Sequence, residues 1–158
     1  AEKLIEITQN CGGETRIEQS VACIGAPTCQ IGMGASQTMA QNIIEFFNEK
    51  GYSKDVLPSI HISGCGNSCA FHQGSLIGLT GKKKRVDGVM EDAFELHING
   101  TFGEGNVKLA KVFGLILAKD IPQFMYELSL MVEAKNIEFE KYAEKYEEEI
   151  AKLVEKFN

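Results

Sequence analysis

The chain has 158 residues, 44% of them hydrophobic, and a formal net charge of −6. That is enough apolar material for one domain-sized core. With Arg16 and Arg85 as the sole arginines, it lacks the basic face that nucleic-acid binding requires. No uninterrupted run of about 18 apolar residues occurs, so no membrane partner is expected. The start AEKLIEITQN has neither the basic head nor the apolar stretch of a signal peptide. A cytoplasmic setting is therefore the default expectation, and the missing initial Met points to processing or a fragment boundary. Five cysteines, an odd number without a secretory signal, favour reduced thiols or metal ligands over disulfides.

Residues 1–14 read as a loose lead-in that turns at Cys11-Gly12-Gly13, and Cys11 reads as a spare thiol. RIEQSVAC, Arg16 to Cys23, is β-compatible and predicts a strand that delivers Cys23 to a loop. After GMGAS, the recurrence of Met39, Ile43, Phe46 and Phe47 predicts a helix capped by Ser36 and stopped at Gly51. SIHIS, Ser59 to Ser63, alternates as a strand and ends at the second pair of close cysteines. SLIGLTG and AFELHING predict an antiparallel hairpin. KKKRVDG, Lys82 to Gly88, is then its turn, in which the run KKKR, Lys82 to Arg85, is solvated or, alternatively, is a docking patch for an acidic partner or anion. NGTFGEGN, Asn99 to Asn106, reads as a glycine-rich loop. VFGLILA is an apolar run that periodicity leaves unassigned. Asp120 and Pro122 start a helix carrying Phe124, Leu128 and Met131. The end of the chain predicts one long helix whose stripe is Phe139, Tyr142, Tyr146, Ile150, Leu153 and Phe157. Packing of that stripe on its own domain is favoured over a dimer seam. The order predicts an α+β fold, a mixed β-sheet with helices packed on it and a C-terminal helical extension. The expected segments are 1–14 lead-in, 15–132 domain and 133–158 extension.

Two cysteine pairs stand out: Cys23 and Cys29 in ACIGAPTC, and Cys65 and Cys69 in HISGCGNSC. Their spacings, C-x5-C and C-x3-C, only partly fit the tight knuckles of structural zinc. The separate irons of a 4Fe–4S cube accept looser spacing. Gly25, Gly32, Gly34, Gly64 and Gly66 beside them allow backbone N–H groups to face an anionic cofactor. Three readings stay open on the residues alone: an iron–sulfur site, a zinc site, or four ordinary buried thiols. His61 and His97 read as structural, and His72, three residues past Cys69, is a site candidate.

CIGAPTC followed by SGCGNSCAFH resembles the sulfite and nitrite reductase family, whose members bind siroheme and a 4Fe–4S cluster. The resemblance extends over roughly Arg16 to Val132 and corresponds to the family's C-terminal half, with its 4Fe–4S domain fold. It implies that Cys23, Cys29, Cys65 and Cys69 ligate the cluster and that Cys69 is catalytic, bridging it to the siroheme iron. By the same resemblance Asn67 and His72 line or support the siroheme face, and the loops at Gly32–Gly34 and Gly100, Gly103 and Gly105 approach the macrocycle. The implied reaction is the six-electron reduction of sulfite to sulfide or of nitrite to ammonia. The implied partners are an N-terminal half that supplies basic substrate-binding residues and a ferredoxin-like electron donor. Two departures stand against the pattern. Leu76 occupies a position that is commonly acidic in the family, and only Lys3 and Arg16 are cationic ahead of Cys23. The chain is thus expected to be part of a longer reductase, with a non-catalytic 4Fe–4S electron-transfer module and a four-cysteine structural zinc domain as alternatives.

Overall fold

A computed structural model describes residues 13–26 and 28–158; the expectations for the lead-in and for Cys11 lie outside this range. Seven strands occur among the described residues. Five of them, β1 (Val21–Ala22), β2 (Ile60–Ser63), β3 (Ile77–Val86), β4 (Val89–Ile98) and β7 (Lys111–Leu117), form one mixed sheet in that order. β1, β2 and β3 run parallel, whereas β3, β4 and β7 are antiparallel neighbours. A separate hairpin pairs β5 (Thr101–Gly103) with β6 (Asn106–Lys108). Helix α1 (Ser36–Glu49) joins β1 to β2, and α2 (Ile121–Lys135), α3 (Phe139–Lys145) and α4 (Glu147–Lys156) follow β7. The α+β class with helices packed on a mixed sheet is what the sequence predicts.

Strand alternation divides β3 and β4 into two faces. Ile77 opposite Ile98 and Leu79 opposite Leu96 share one face, continued by Gly81 opposite Phe94. These apolar residues join Met39, Ile43 and Phe47 of α1 and Phe124, Leu128 and Val132 of α2 in one core. Each such side chain contributes roughly 1.5–3 kcal/mol when fully buried. The other face carries Gly78 opposite His97, then Thr80 opposite Glu95 and Lys82 opposite Ala93. His97 and Thr80 are nonetheless buried, because the segment between β2 and β3 lies over them: a Cβ on Gly78 would meet the His72 carbonyl at 2.1 Å.

Several local expectations are corrected. The hairpin turn is shorter than the expected Lys82–Gly88: Lys82–Arg85 is the outer half of β3, where Lys83 pairs with Asp92 and Lys82 with Glu95 at 3.9 Å. The turn is Asp87-Gly88, both at positive φ (48° and 87°), as a two-residue hairpin loop requires. Arg16–Gln19 is a turn held to Asp55, and only Val21–Ala22 forms a strand. Ser36 does not cap α1: it is the first helical residue, and its hydroxyl bonds the carbonyl of Cys23 instead. The Asn99–Asn106 segment contains most of the small β5–β6 hairpin, and the unassigned apolar run is strand β7.

The terminal helix is two helices broken at Tyr146 (φ −119°), whose ring stacks on Tyr142 at 5.2 Å. Its stripe packs inward as expected: Phe139, Tyr142, Ile150 and Leu153 are buried, and Phe157 meets Phe124 edge-on at 5.7 Å. Helix α2 runs across the expected 132/133 boundary, and residues from both sides of it share the one core.

Candidate metal centre

The sheet delivers the first cysteine of each pair, Cys23 and Cys65, to neighbouring strand ends. Cys23 directly follows β1 and donates its N–H to the Ile62 carbonyl of β2 at 3.0 Å. Gly64 and Cys65 directly follow β2. Because β1 and β2 are parallel neighbours, the two loops leave the same edge of the sheet, at the carboxyl ends of adjacent strands where open α/β sheets place ligands.

Four chain segments cross there through glycine backbones. The Gly64 carbonyl accepts the N–H groups of Met33 and Gly34, both at 2.8 Å, and Ala26 donates to the Gly34 carbonyl at 3.0 Å. A Cβ on Gly64 would lie 2.8 Å from the Gly25 Cα, and one on Gly81 would lie 2.4 Å from the Gly64 oxygen and 2.6 Å from the Gly34 nitrogen. No side chain fits between these strands of backbone, so the crossing needs glycine. Gly81, which sequence reasoning overlooked, belongs to this crossing as fully as Gly25, Gly34 and Gly64. Gly32 closes against the Ala26 nitrogen, where its Cβ would come within 2.7 Å.

The crossing brings backbone to sulfur. The Gly64 N–H donates to the Cys23 Sγ at 3.1 Å, and the Ser36 hydroxyl lies 3.3 Å from the same sulfur. Burial opposes ionisation of the Cys23 thiol, but the hydrogen bonds from Ser36, Gly64 and Gly25 outweigh it and bring its pKa below the usual thiol value. The start of α1 beside it adds the partial positive charge of a helix N-terminus. Cys29 is positioned by its own N–H, which donates to the Gly25 carbonyl at 2.8 Å. Cys23, Cys29 and Cys65 are half-buried, and Cys69 is exposed; all four are free thiols.

The Cys65–Cys69 turn is clasped to β2 just beyond Cys69. Ala70 donates its N–H to the Ser63 Oγ at 3.2 Å, and its carbonyl accepts from the His61 Nδ1 at 2.8 Å. Within the turn Ser68 takes a left-handed conformation (φ 57°). Gly66 and Asn67 face outward, and a Cβ on Gly66 would meet nothing within 4 Å.

His72 is 1% exposed, so it lies beneath the loop rather than on the surface that carries Cys69. Its ring packs edge-on against His97 at 4.7 Å, and its Nδ1 has no hydrogen-bond partner among the described residues. Burial, with His97 and Lys82 alongside, pushes its pKa down to about 4. The His97 Nε2 in turn lies 3.0 Å from Glu95 and 3.1 Å from the Thr80 hydroxyl. Gly100 presses the β5–β6 hairpin onto this segment, its Cβ position being 2.6 Å from the Gln73 carbonyl, whereas Gly103 and Gly105 stand in open space. Phe102 on the hairpin meets Phe71 edge-on at 4.8 Å. With Ile24, Ile31 and Met33 these exposed rings leave an apolar rim around the cysteine loops.

Two electrostatic facts bear on what fits. Residues 19–44 and 56–81, which contain both loops, include no Asp, Glu, Lys or Arg. Among the described residues no three His, Cys, Asp or Glu side chains converge on a single ion; a four-iron cube instead takes each thiolate on a separate iron. Uncharged loops with four free thiols, and with the Gly64 N–H turned to the Cys23 sulfur, suit such a cluster. They do not by themselves suit the many carboxylates of siroheme, which require cations.

No family sequence model matches the chain. It is 33% identical over 89 residues to a ferredoxin–nitrite reductase of Leptolyngbya laminosa, covering 56% of this chain and 17% of that one. It is 27% identical over 92 residues to sulfite reductase (ferredoxin) 1 of Mycolicibacterium paratuberculosis, covering 55% and 17%. It is 32% identical over 90 residues to the sulfite reductase (NADPH) hemoprotein beta-component of Methylocella silvestris, covering 51% and 15%. The chain thus spans about a sixth of the length of these relatives. In fold it matches the NirA protein of Mycobacterium tuberculosis with a TM-score of 0.71 at 16% identity, over 90% of this chain and 28% of that one. In sequence, part of this chain is thus similar to sulfite and nitrite reductases, and its fold is similar to that of NirA.

Proposed function

We propose that Cys23, Cys29, Cys65 and Cys69 hold a 4Fe–4S cluster and that the chain is the cluster-bearing C-terminal portion of a nitrite or sulfite reductase. The observation that carries this reading is the crossing at Gly64: one glycine continues β2 into the second cysteine loop while its N–H bonds the sulfur of the first. When bound, the cluster supplies single-electron transfer, which a six-electron reduction of sulfite or nitrite at an adjoining siroheme requires. The chain's own residues hold and insulate. The Gly64 N–H fixes the Cys23 sulfur, the Ala70 clasp fixes the turn that ends in Cys69, and the loops exclude competing charge. Cys69, exposed at the rim, is the thiolate placed to face a siroheme, with Asn67 beside it and His72 supporting the loop from below. A cytoplasmic setting and a ferredoxin-like electron donor belong to the same reading.

The absence of charged side chains from residues 19–44 and 56–81 favours one further element and one second reading. Siroheme and an anionic substrate need cations, so a partner segment, the N-terminal half of the reductase, supplies them and covers the apolar rim. Without such a partner the chain acts as a cluster-only electron-transfer module.

Anaerobic reconstitution with iron and sulfide tests the proposal. The expected result is iron and acid-labile sulfide at cluster stoichiometry, lost in Cys69→Ser and retained in Cys11→Ser. One zinc per chain without sulfide would sink it. Siroheme uptake only when the N-terminal half is added favours the reductase portion; no uptake under either condition favours the module.

A further inference from the structure

Ser36 has one hydroxyl proton and two acceptors on the same residue. It donates to the Cys23 carbonyl at 2.7 Å while its oxygen sits 3.3 Å from the Cys23 Sγ. Ser36 is fully buried at the first residue of α1, and its neighbourhood is closed: a Cβ on Gly25 would come within 2.3 Å of its oxygen. With Cys23 as a thiol, the S–H is the donor in the sulfur contact and the hydroxyl proton goes to the carbonyl. Once the sulfur is a thiolate bound to iron, it has no proton to give and becomes an acceptor. The hydroxyl can then turn from carbonyl to sulfur without moving any heavy atom. The Gly64 N–H, fixed by its backbone, cannot alternate in this way.

Resting on the cluster reading above, we infer that Ser36 is the positioning residue that tunes the cluster through Cys23. Its hydroxyl hydrogen-bonds the ligating sulfur, withdraws negative charge from it and raises the cluster's reduction potential. This gives the Cys23 corner a side-chain donor in addition to its backbone N–H.

The test is a redox titration of the reconstituted full chain, followed by electron paramagnetic resonance, in wild type, Ser36→Ala and Ser20→Ala. Ser20 is the matched control: its hydroxyl also ties the β1 end to β2, by accepting the Ile60 N–H at 2.9 Å, but it makes no hydrogen bond to a sulfur among the described residues. Ser36→Ala is expected to keep full iron and sulfide and to titrate at a more negative potential, with Ser20→Ala at the wild-type value. Equal potentials in wild type and Ser36→Ala overturn the inference, as does an equal shift in both variants. If Ser36→Ala fails to assemble a cluster, the wild type decides. An exchangeable proton coupled to the reduced cluster, beyond those from the Gly64 and Gly25 N–H groups, supports Ser36, and its absence refutes it. A wild-type chain that takes up neither iron nor sulfide refutes the cluster reading itself, before any substitution is made.

Discussion

The two sides of the sheet are built by opposite means. On the helix side, large apolar side chains from β3, β4, α1, α2, α3 and α4 fill one core, and Phe94, Phe124 and Tyr142 are fully buried in it. At the cysteine end and on the opposite face, backbone packs on backbone through Gly25, Gly34, Gly64 and Gly81, and what is buried beyond them is polar: Ser36, Thr80, His72 and His97. The first side loses stability when atoms are removed, and the second when atoms are added or protons bind. A chain assembled this way concentrates its stability away from its chemistry.

The largest effect falls on the helix side. Phe124→Ala empties a fully buried site beside Phe157 and should cost about 3–5 kcal/mol of unfolding free energy. Urea denaturation measures it, and a loss below about 1 kcal/mol would show that α4 does not seal this core.

The next effect separates the sides by pH. In the unfolded chain the His72 imidazole takes a proton near its ordinary value of 6.5, but in the folded chain burial defers this to about 4. The unfolded state therefore binds more protons in between. The stabilisation is complete above pH 6.5 and lost as the pH falls toward 4, on the order of 3 kcal/mol. His97, lowered chiefly by the same burial, adds to the slope in the same direction. Denaturation at pH 7 and pH 4.5 should show the loss in wild type and a smaller one in His72→Gln. An undiminished slope in the variant would place the acid sensitivity elsewhere.

A smaller cost with a sharper meaning comes from Gly81→Ala. The added methyl meets backbone at 2.4 Å, which should cost about 1–3 kcal/mol and impair cluster uptake by displacing Gly64. Gly103→Ala, in open space, should do neither. Equal uptake by the two variants would remove the crossing from the account of the site.

How much of this was legible in the sequence differs between the sides in the same way. The helix side follows from periodicity, since burial of Met39, Ile43, Phe124 and Leu128 repeats with the helical turn. The loops at strand ends follow from alternation in SIHIS and the hairpin strands. Lys82–Arg85 misleads because a charged run resembles the beginning of the turn that Asp87-Gly88 alone makes. The break at Tyr146 leaves no trace because the apolar stripe keeps its spacing across it. Ser36 looks like a cap because local sequence cannot show that a cysteine 13 residues earlier competes for its hydroxyl. The glycine crossing joins four segments distant in sequence, and no window of neighbouring residues contains it.

The clasp at Ala70 has a further consequence. A turn pinned to β2 by both its N–H and its carbonyl is closed before anything occupies it. Fixing a residue costs about 1–2 kcal/mol of chain entropy, and here folding meets that cost for the residues between Gly64 and Ala70. A ligand arriving at Cys65 and Cys69 finds them already held on a short tether, so little of its binding free energy goes into ordering the chain. On the proposed reading the loop is a preorganised receptor, and its grip should depend on the bonds it forms rather than on the disorder it removes.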